Sequence, residues 1–232
     1  MVSYYRIFIF EAGVSTFNTS ERHNPDKADK FIKELHSNMM PVSDVPADIL
    51  SEDTVLLDYI ARRGLTGVYA SRDGYIIEDC DLVFDIFWKD SVRQKLLQLF
   101  PRHRILVVMN HSHIPDFGYA FFENGQMQRI FHITVEDEAD IESDCYFEGK
   151  ISQEEIDLIK QSVTRSDNLS DAYDVIIENQ VFKDVKFEDL KKSMIGWALG
   201  RYSVSDSLDV FGKSGYSFYR KRPWWHRLIP GR

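Results

Sequence analysis

Two apolar runs meet at an Asn-Gly pair in the stretch Phe117-Gly-Tyr-Ala-Phe-Phe-Glu-Asn-Gly-Gln-Met-Gln-Arg-Ile-Phe-His-Ile-Thr134. Asparagine and glycine both tolerate the positive φ of a type I′ turn, so the pair predicts a β-hairpin in which Glu123 lies opposite Gln126. Counting outward from this turn places Ala120 opposite Arg129. Apolar side chains fall on both faces of the predicted hairpin. We therefore expect its strands to lie inside a sheet that is covered on both sides.

Two polar side chains, Arg129 and His132, interrupt this apolar pattern. In the predicted register Arg129 shares a face with Phe122 and Phe131. A buried guanidinium must have an acidic or carbonyl partner. A structural ion pair is therefore the favoured interpretation of Arg129, and a ligand-binding anchor is the alternative. We expect His132 to be a core histidine whose polar atoms have partners within the protein.

The composition of the chain is that of a folded domain with an acidic surface. Its 232 residues are 44% hydrophobic and carry a net charge of −9, which disfavours general nucleic-acid binding because phosphate backbones would be repelled. No apolar run is long enough to cross a bilayer, and the N-terminal run lacks the features of a signal peptide. We therefore expect a cytoplasmic protein without a membrane span.

Short apolar runs alternate along the chain with segments of helical periodicity. Asn24 and Pro25 predict the start of one helix, and Ser152 with Glu155 predicts a capping box at the start of another. The predicted fold class is α+β, with a central, mostly antiparallel sheet and helices packed against it. We expect one compact domain over residues 1–212 and a C-terminal arm over residues 213–232.

The predicted arm is basic and rich in aromatic side chains. It holds six cations and no carboxylate, and because the whole chain carries −9, residues 1–212 carry −15. Arg222, Trp224 and Trp225 are its candidate binding residues. Opposite charge favours an arm that docks on the acidic body. The alternative is a partner-protein anchor, since Trp and Arg are favoured where binding energy concentrates.

A His-x-His pattern follows the predicted strand Ile105–Asn110. His111 and His113 would project to the same side of an extended segment, and Asp116 follows three residues later. Glu78 and Asp81 could add carboxylates if their loop lies at the same sheet edge. Such a set suits one divalent transition metal, such as zinc, iron or manganese, and would make His111, His113 and Asp116 the catalytic residues. The alternative is a polar corner whose histidines bond to backbone groups.

Covalent and nucleotide chemistry have little support in the sequence. Cys80 lies between Asp79 and Asp81, and Cys145 follows Asp144. Neighbouring carboxylates raise the pKa of a thiol and disfavour the nucleophilic thiolate. The chain contains no nucleophile elbow, phosphate-binding loop or dinucleotide-binding fingerprint.

The segment from Phe117 to Arg129, followed by the acidic stretch 136–144 and Tyr146-Phe-Glu148, resembles a group of small bacterial proteins of uncharacterised function. In that group a strand leads into an aromatic segment, an acidic Asn/Asp-Gly turn, an arginine-containing strand and an acidic loop that ends in Phe-Glu. The resemblance covers about residues 65–150 and implies an α+β fold. It transfers no activity and no catalytic residue.

These features favour a non-enzymatic bacterial binding protein that acts by occupying another protein. The partner is expected to be basic, and no cofactor is expected. One concrete version is an immunity-like or antitoxin-like protein that covers the basic active site of a toxin, since acidic proteins associate quickly with such targets. The alternative is a metal-dependent hydrolase centred on His111, His113 and Asp116.

Overall fold

The computed structural model of the chain describes residues 4–17, 21–35, 38–43, 45, 59–60, 62–111, 116–134, 142–163, 172–177, 180–202 and 216–221. In this part of the chain one large β-sheet separates two layers of helices. The prediction of an α+β fold with a mostly antiparallel central sheet is confirmed.

The sheet has eleven strands in the described residues. They are β1 (Tyr4–Phe10), β2 (Met39–Val42), β3 (Leu65–Ser71), β4 (Gly74–Glu78), β5 (Arg104–Asn110), β6 (Asp116–Glu123), β7 (Gln126–Thr134), β8 (Glu142–Glu148), β9 (Ala172–Ile177), β10 (Gln180–Lys186) and β11 (Ser217–Lys221). Their spatial order is β10-β9-β8-β7-β6-β5-β1-β4-β3-β11-β2. Neighbouring strands are antiparallel except for β8 and β9, which are parallel.

Five described helices cover the sheet. They are α1 (Pro25–Leu35), α2 (Cys80–Trp88), α3 (Asp90–Leu99), α4 (Gln153–Gln161) and α5 (Phe187–Arg201). Helices α1, α2 and α3 pack on one face, where Phe31, Ile86 and Leu96 join a core with Ile7 and Val107. Helices α4 and α5 pack on the other face, in a core that contains Tyr119 and Phe131. The hairpin strands are therefore inner strands, covered on both sides as predicted.

Two helix starts have the caps that the sequence predicted. The Asn24 side chain accepts a hydrogen bond from the backbone N–H of Lys27 at 3.0 Å. Ser152 and Glu155 form a reciprocal capping box at the start of α4. The N-cap of α2 was not predicted: Asp79 accepts from the backbone N–H of Leu82 at 2.9 Å. These caps satisfy N–H groups that have no partner within the helix.

The predicted hairpin turn is present, but a β-bulge changes the register beyond it. Asn124 and Gly125 both have positive φ, and Glu123 pairs with Gln126 as predicted. The register then shifts by one residue, so that Arg129 lies opposite Phe121 rather than Ala120. The extra residue of a bulge reverses which face the following side chains occupy. Counting from the turn alone therefore assigned the far half of β7 to the wrong faces.

Arg129 illustrates the consequence of this bulge. The predicted register placed it on a face with Phe122 and Phe131. In the structure Arg129 and Phe131 lie on the side of α4 and α5, with Tyr119, whereas Phe122 packs on the opposite side. The guanidinium is thereby brought to the start of α4 rather than to α2 or α3.

Residues 217–221, which belong to the predicted arm, form an internal strand. β11 pairs with β3 on one side and with β2 on the other. These residues of the predicted arm are therefore part of the sheet. Residues 213–215 and 222–232 of the predicted arm lie outside the described residues. β11 is the tenth strand in spatial order, although it lies near the C-terminal end of the sequence.

None of the described helices combines the length and apolar composition that spanning a membrane requires.

Gly118→Ala is expected to lower the free energy of unfolding by about 2 kcal/mol or more. A Cβ atom at Gly118 would lie 2.5 Å from the backbone oxygen of Phe131, and backbone in a central strand cannot easily move away. Gly196→Ala is the matched control, because a Cβ there meets nothing within 4 Å. The control should stabilise α5 by about 0.5–1 kcal/mol. Urea unfolding measures both, and equal stability of the two variants would contradict the predicted contact.

His23 is expected to make stability depend on pH. Its Nδ1 accepts from the backbone N–H of Ala70 at 3.1 Å, and its Nε2 lies 3.0 Å from Ser217 Oγ, so the neutral ring links β3 to β11. Burial lowers the pKa of His23 below its ordinary value of 6.5. The unfolded state therefore binds a proton that the folded state does not, and stability falls as the pH drops through about 6.5.

His23→Gln should reduce this loss of stability between pH 7 and pH 5, since glutamine does not titrate. Urea unfolding of both proteins at the two pH values measures the difference. An identical pH dependence in the wild type and the variant would show that His23 does not contribute.

Candidate interaction surface

The residues predicted to bind a metal occupy separate environments. His111 directly follows β5, and its backbone N–H donates to the carbonyl of Asp116 at 2.9 Å. Its ring lies edge-on to Tyr5, with centroids 6.4 Å apart. Asp116 is buried, and its Oδ1 lies 2.6 Å from Nε2 of His132. His113 lies outside the described residues.

The two predicted carboxylate ligands also have other partners. Glu78 is buried at the end of β4 and pairs with Arg6 of β1. Asp81 is exposed in the first turn of α2, with Oδ2 3.8 Å from Nζ of Lys221. Among the described residues, no three His, Cys, Asp or Glu side chains are grouped so that they could hold a metal ion. The metal site with His113 stays a prediction.

Arg129 is buried in a network with the start of α4. Its Nε and Nη2 donate to Oε1 of Glu155 at 2.9 and 2.7 Å, and Nη1 donates to the carbonyls of residues 148 and 149 at 3.2 and 3.0 Å. The Tyr119 hydroxyl donates to the same carboxylate oxygen. Burial, reinforced by the Glu155 charge, raises the pKa of Tyr119. These contacts are those of the structural ion pair that the sequence favoured.

Cys80 begins α2 and does not have the properties of a nucleophile. Burial raises the pKa of its thiol to about 11, and the neighbouring charges of Asp81 and Asp79 add to the effect. The thiol is therefore protonated near neutral pH, and a thiol is a much weaker nucleophile than a thiolate. The sequence predicted that the flanking carboxylates would raise the pKa of the thiol, whereas in the structure burial contributes more to the raised pKa than these charges do.

The arm candidates Arg222, Trp224 and Trp225 lie outside the described residues.

One group of exposed apolar side chains stands out against these buried pairs. Among the described residues, the large hydrophobic side chains exposed to solvent are Trp88 at 53%, Ile176 at 37% and Val181 at 51%. Ile176 of β9 and Val181 of β10 are direct cross-strand partners. Together with Tyr146 of β8, these residues define what we call the exposed face.

Strand register places the exposed face on one side of the sheet. Tyr146 pairs with His132, which packs against α2, so Tyr146 points to the side of α1, α2 and α3. On β9, Val175 points to the opposite core, so Ile176 points to the same side as Tyr146. Helix α1 packs over β3, and helix α2 packs over β1 and β5, nearer the other end of the sheet. The exposed face lies beyond their cover.

Trp88 is the last residue of α2 and is held in place by the rings beneath it. Its indole lies edge-on to His132, with centroids 5.1 Å apart, and 5.7 Å from the ring of Tyr146. His132 is in turn buried, its Nε2 is bonded to Asp116, and Phe87 packs against it at 5.4 Å. Its Nδ1 has no hydrogen-bond partner among the described residues, so the expectation that all its polar atoms have partners is wrong. A half-exposed indole with a rigid support loses little conformational freedom when it binds another surface.

Carboxylates border the exposed face. Asp174 of β9 points to the same side as Ile176, and Glu148 of β8 to the same side as Tyr146. The sequence between β7 and β8 is also acidic, since residues 136–144 contain six carboxylates. Residues 135–141 of this connection lie outside the described residues. The exposed face therefore combines apolar area with an acidic border.

Sequence reasoning did not identify the exposed face. Leu82 to Trp88 is an apolar run interrupted only by Asp85, and nothing in it distinguishes the exposed Trp88 from the buried Ile86 or Phe87. Lys89 and Asp90 immediately after Trp88 were a usable signal, because they mark the point where the run reaches the surface. Ile176 and Val181 carried no signal, since their exposure depends on where the helices stop covering the sheet.

Comparison of the chain with protein-family models, curated proteins and solved structures finds no match.

Glu155→Gln is expected to destabilise the protein by about 3 kcal/mol, because it leaves the buried Arg129 without a counter-charge. Glutamine can still accept the N-terminal hydrogen bond of the capping box, so the loss reports mainly on the charge. Glu154→Gln, one residue away and exposed, is the control and should change stability by less than about 0.5 kcal/mol. Urea unfolding at neutral pH distinguishes them, and similar losses in both variants would refute the role of the pair.

Proposed function

We propose that this protein is a non-enzymatic binding protein whose partner is another protein that docks on the exposed face. The observation that carries the proposal is the exposure of Trp88, Ile176 and Val181 on one side of a sheet whose other apolar side chains are largely buried. Exposed apolar area with a polar border is typical of protein–protein interaction sites. The sheet around it supplies a rigid base.

Trp88 is the residue expected to contribute most to binding. Tryptophan is enriched among the few interface residues that carry most of the binding energy. Slightly more than half of its surface is exposed and available to a partner. The remainder packs on His132 and Tyr146, which fixes the direction of the indole before a partner arrives.

The partner is expected to present basic side chains around an apolar contact. The chain carries a net charge of −9, and Asp174 and Glu148 border the exposed face. Opposite charge on the partner would accelerate association and orient the two proteins. An immunity-like or antitoxin-like protein that covers the basic active site of a toxin is one concrete version of this proposal, and the acidic charge is its support.

Trp88→Ala is expected to weaken the complex by at least about 2 kcal/mol, or roughly thirty-fold in Kd, because it removes the supported indole from the centre of the contact. The partner is isolated with tagged, full-length protein from the cells that produce it, and Kd is measured with the purified partner by calorimetry. Lys192→Ala on the opposite layer, at an exposed position of α5, is the control and should change Kd less than about twofold.

Two results would contradict the proposal. One is a Kd that Trp88→Ala leaves unchanged while circular dichroism shows an intact fold. The other is self-association of the wild type in sedimentation experiments that Trp88→Ala abolishes, since the exposed face would then be covered by a second copy of the chain. A steep loss of affinity with salt would support a basic partner.

A further inference from the structure

A cleft lies between the helices of one layer at the end of the sheet where β11 stops. Its volume is about 140 Å³. Apolar side chains from three helices form its floor, and carboxylates of α2 stand at its rim. The floor residues are Leu35, Leu82, Val92 and Leu96, and the rim residues are Asp81 and Asp85. We call this the acidic cleft.

The charged side chains of the acidic cleft differ in how far their existing contacts leave them able to bind a further charged group. Asp79 caps α2 and accepts a hydrogen bond from Thr66, and burial raises its pKa. Lys95 donates to the carbonyl of Leu35 at 3.0 Å, where its charge favours the C-terminal end of α1. Asp81 is 81% exposed, and Asp85 is partly exposed beside Lys89 at 2.7 Å. Asp81 and Asp85 therefore remain open to a further cation.

Strand β11 ends at this cleft. Lys221, its last residue, lines the cleft, and so does Asp81, whose Oδ2 is 3.8 Å from the Lys221 ammonium. Lys221 also lines a smaller neighbouring cavity of about 50 Å³. It points to the same side of the strand as Tyr219, whose hydroxyl donates to Asp29 of α1 at 2.5 Å. The described part of the chain thus ends with Lys221 at the edge of the cleft.

The segment that follows has a composition complementary to the cleft. Residues 222–232 are Arg-Pro-Trp-Trp-His-Arg-Leu-Ile-Pro-Gly-Arg, with four large apolar side chains, three arginines and no carboxylate. This segment carries +3 while the whole chain carries −9, so the first 221 residues carry −12. Trp224 and Trp225 lie three and four residues beyond Lys221, within about 15 Å of extended chain.

We propose that residues 222–232 dock in the acidic cleft, with a tryptophan over the apolar floor and arginines facing Asp81 and Asp85. The attachment at Lys221 holds the segment at a high effective concentration, so modest contacts suffice to keep it there. The inference does not depend on the proposed function, since the exposed face lies at the other end of α2.

Site-specific photocrosslinking in the full-length chain tests this docking. Trp224→p-benzoylphenylalanine is expected, on irradiation, to form crosslinks within one chain to peptides that contain Leu82, Val92 or Leu96, as identified by mass spectrometry. Lys192→p-benzoylphenylalanine, on the opposite helical layer, is the control and should not label these peptides.

Charge reversal at the rim supplies the second measurement. Asp81→Lys with Asp85→Lys should lower the yield of cleft crosslinks at least fivefold. Glu154→Lys with Asp157→Lys makes the same change in charge on exposed positions of α4 and should leave the yield within twofold. If the first pair impairs folding by circular dichroism, Asp81→Asn with Asp85→Asn replaces it, with a smaller loss expected.

The proposal is overturned by crosslinks that map outside the cleft, or by crosslinks that form only between two chains and rise with protein concentration. It is also overturned if reversal of the rim charges and reversal of the α4 charges have the same effect. Crosslinks to the cleft that are lost selectively on rim reversal support it.

Discussion

Burial of both faces of the central strands is the constraint on which the rest of the structure depends. Strands β1, β5, β6 and much of β7 lie between two helical layers, so every polar side chain among them needs a partner inside the protein. The resulting pairs are Arg6 with Glu78, Arg129 with Glu155, and Asp116 with His132. Each joins residues that are far apart in sequence. Losing one partner would leave a buried charge or polar group uncompensated, which is why these pairs also tie the layers and strands in one arrangement.

The width of the sheet explains where the protein has surface to offer. Eleven strands at about 4.8 Å spacing extend roughly 50 Å, whereas three helices about 10 Å wide cover roughly 30 Å. Helix α1 packs over β3 and helix α2 over β1 and β5, so the side chains of β9 and β10 on that side extend beyond them. Ile176 and Val181 are exposed for this reason, and Trp88 stands at the boundary of the covered area.

Helix α2 takes part in both surfaces that carry our proposals. Its first turns supply Asp81, Leu82 and Asp85 to the acidic cleft, and its last residue, Trp88, belongs to the exposed face. The helix itself is held by Val83, Ile86 and Phe87, which are buried against the sheet. A nine-residue helix with one apolar side can present different side chains at its two ends because helical periodicity rotates each position by about 100°. Glu78 and Arg129, in contrast, are held in buried ion pairs with Arg6 and Glu155.

The sequence by itself determined the fold class, the hairpin turn at Asn124 and Gly125, the capped starts of α1 and α4, and the need of Arg129 for a buried partner. These depend on local backbone preferences and on the cost of burying charge, which residue types and spacing reveal. Only the tertiary structure decided the bulge that exchanges the faces of β7, the internal position of β11, the pairing of Asp116 with His132, and the exposure of Trp88. Each of these depends on which distant segments meet, because a side chain's burial and its partner are properties of the packed layers and not of its neighbours in sequence.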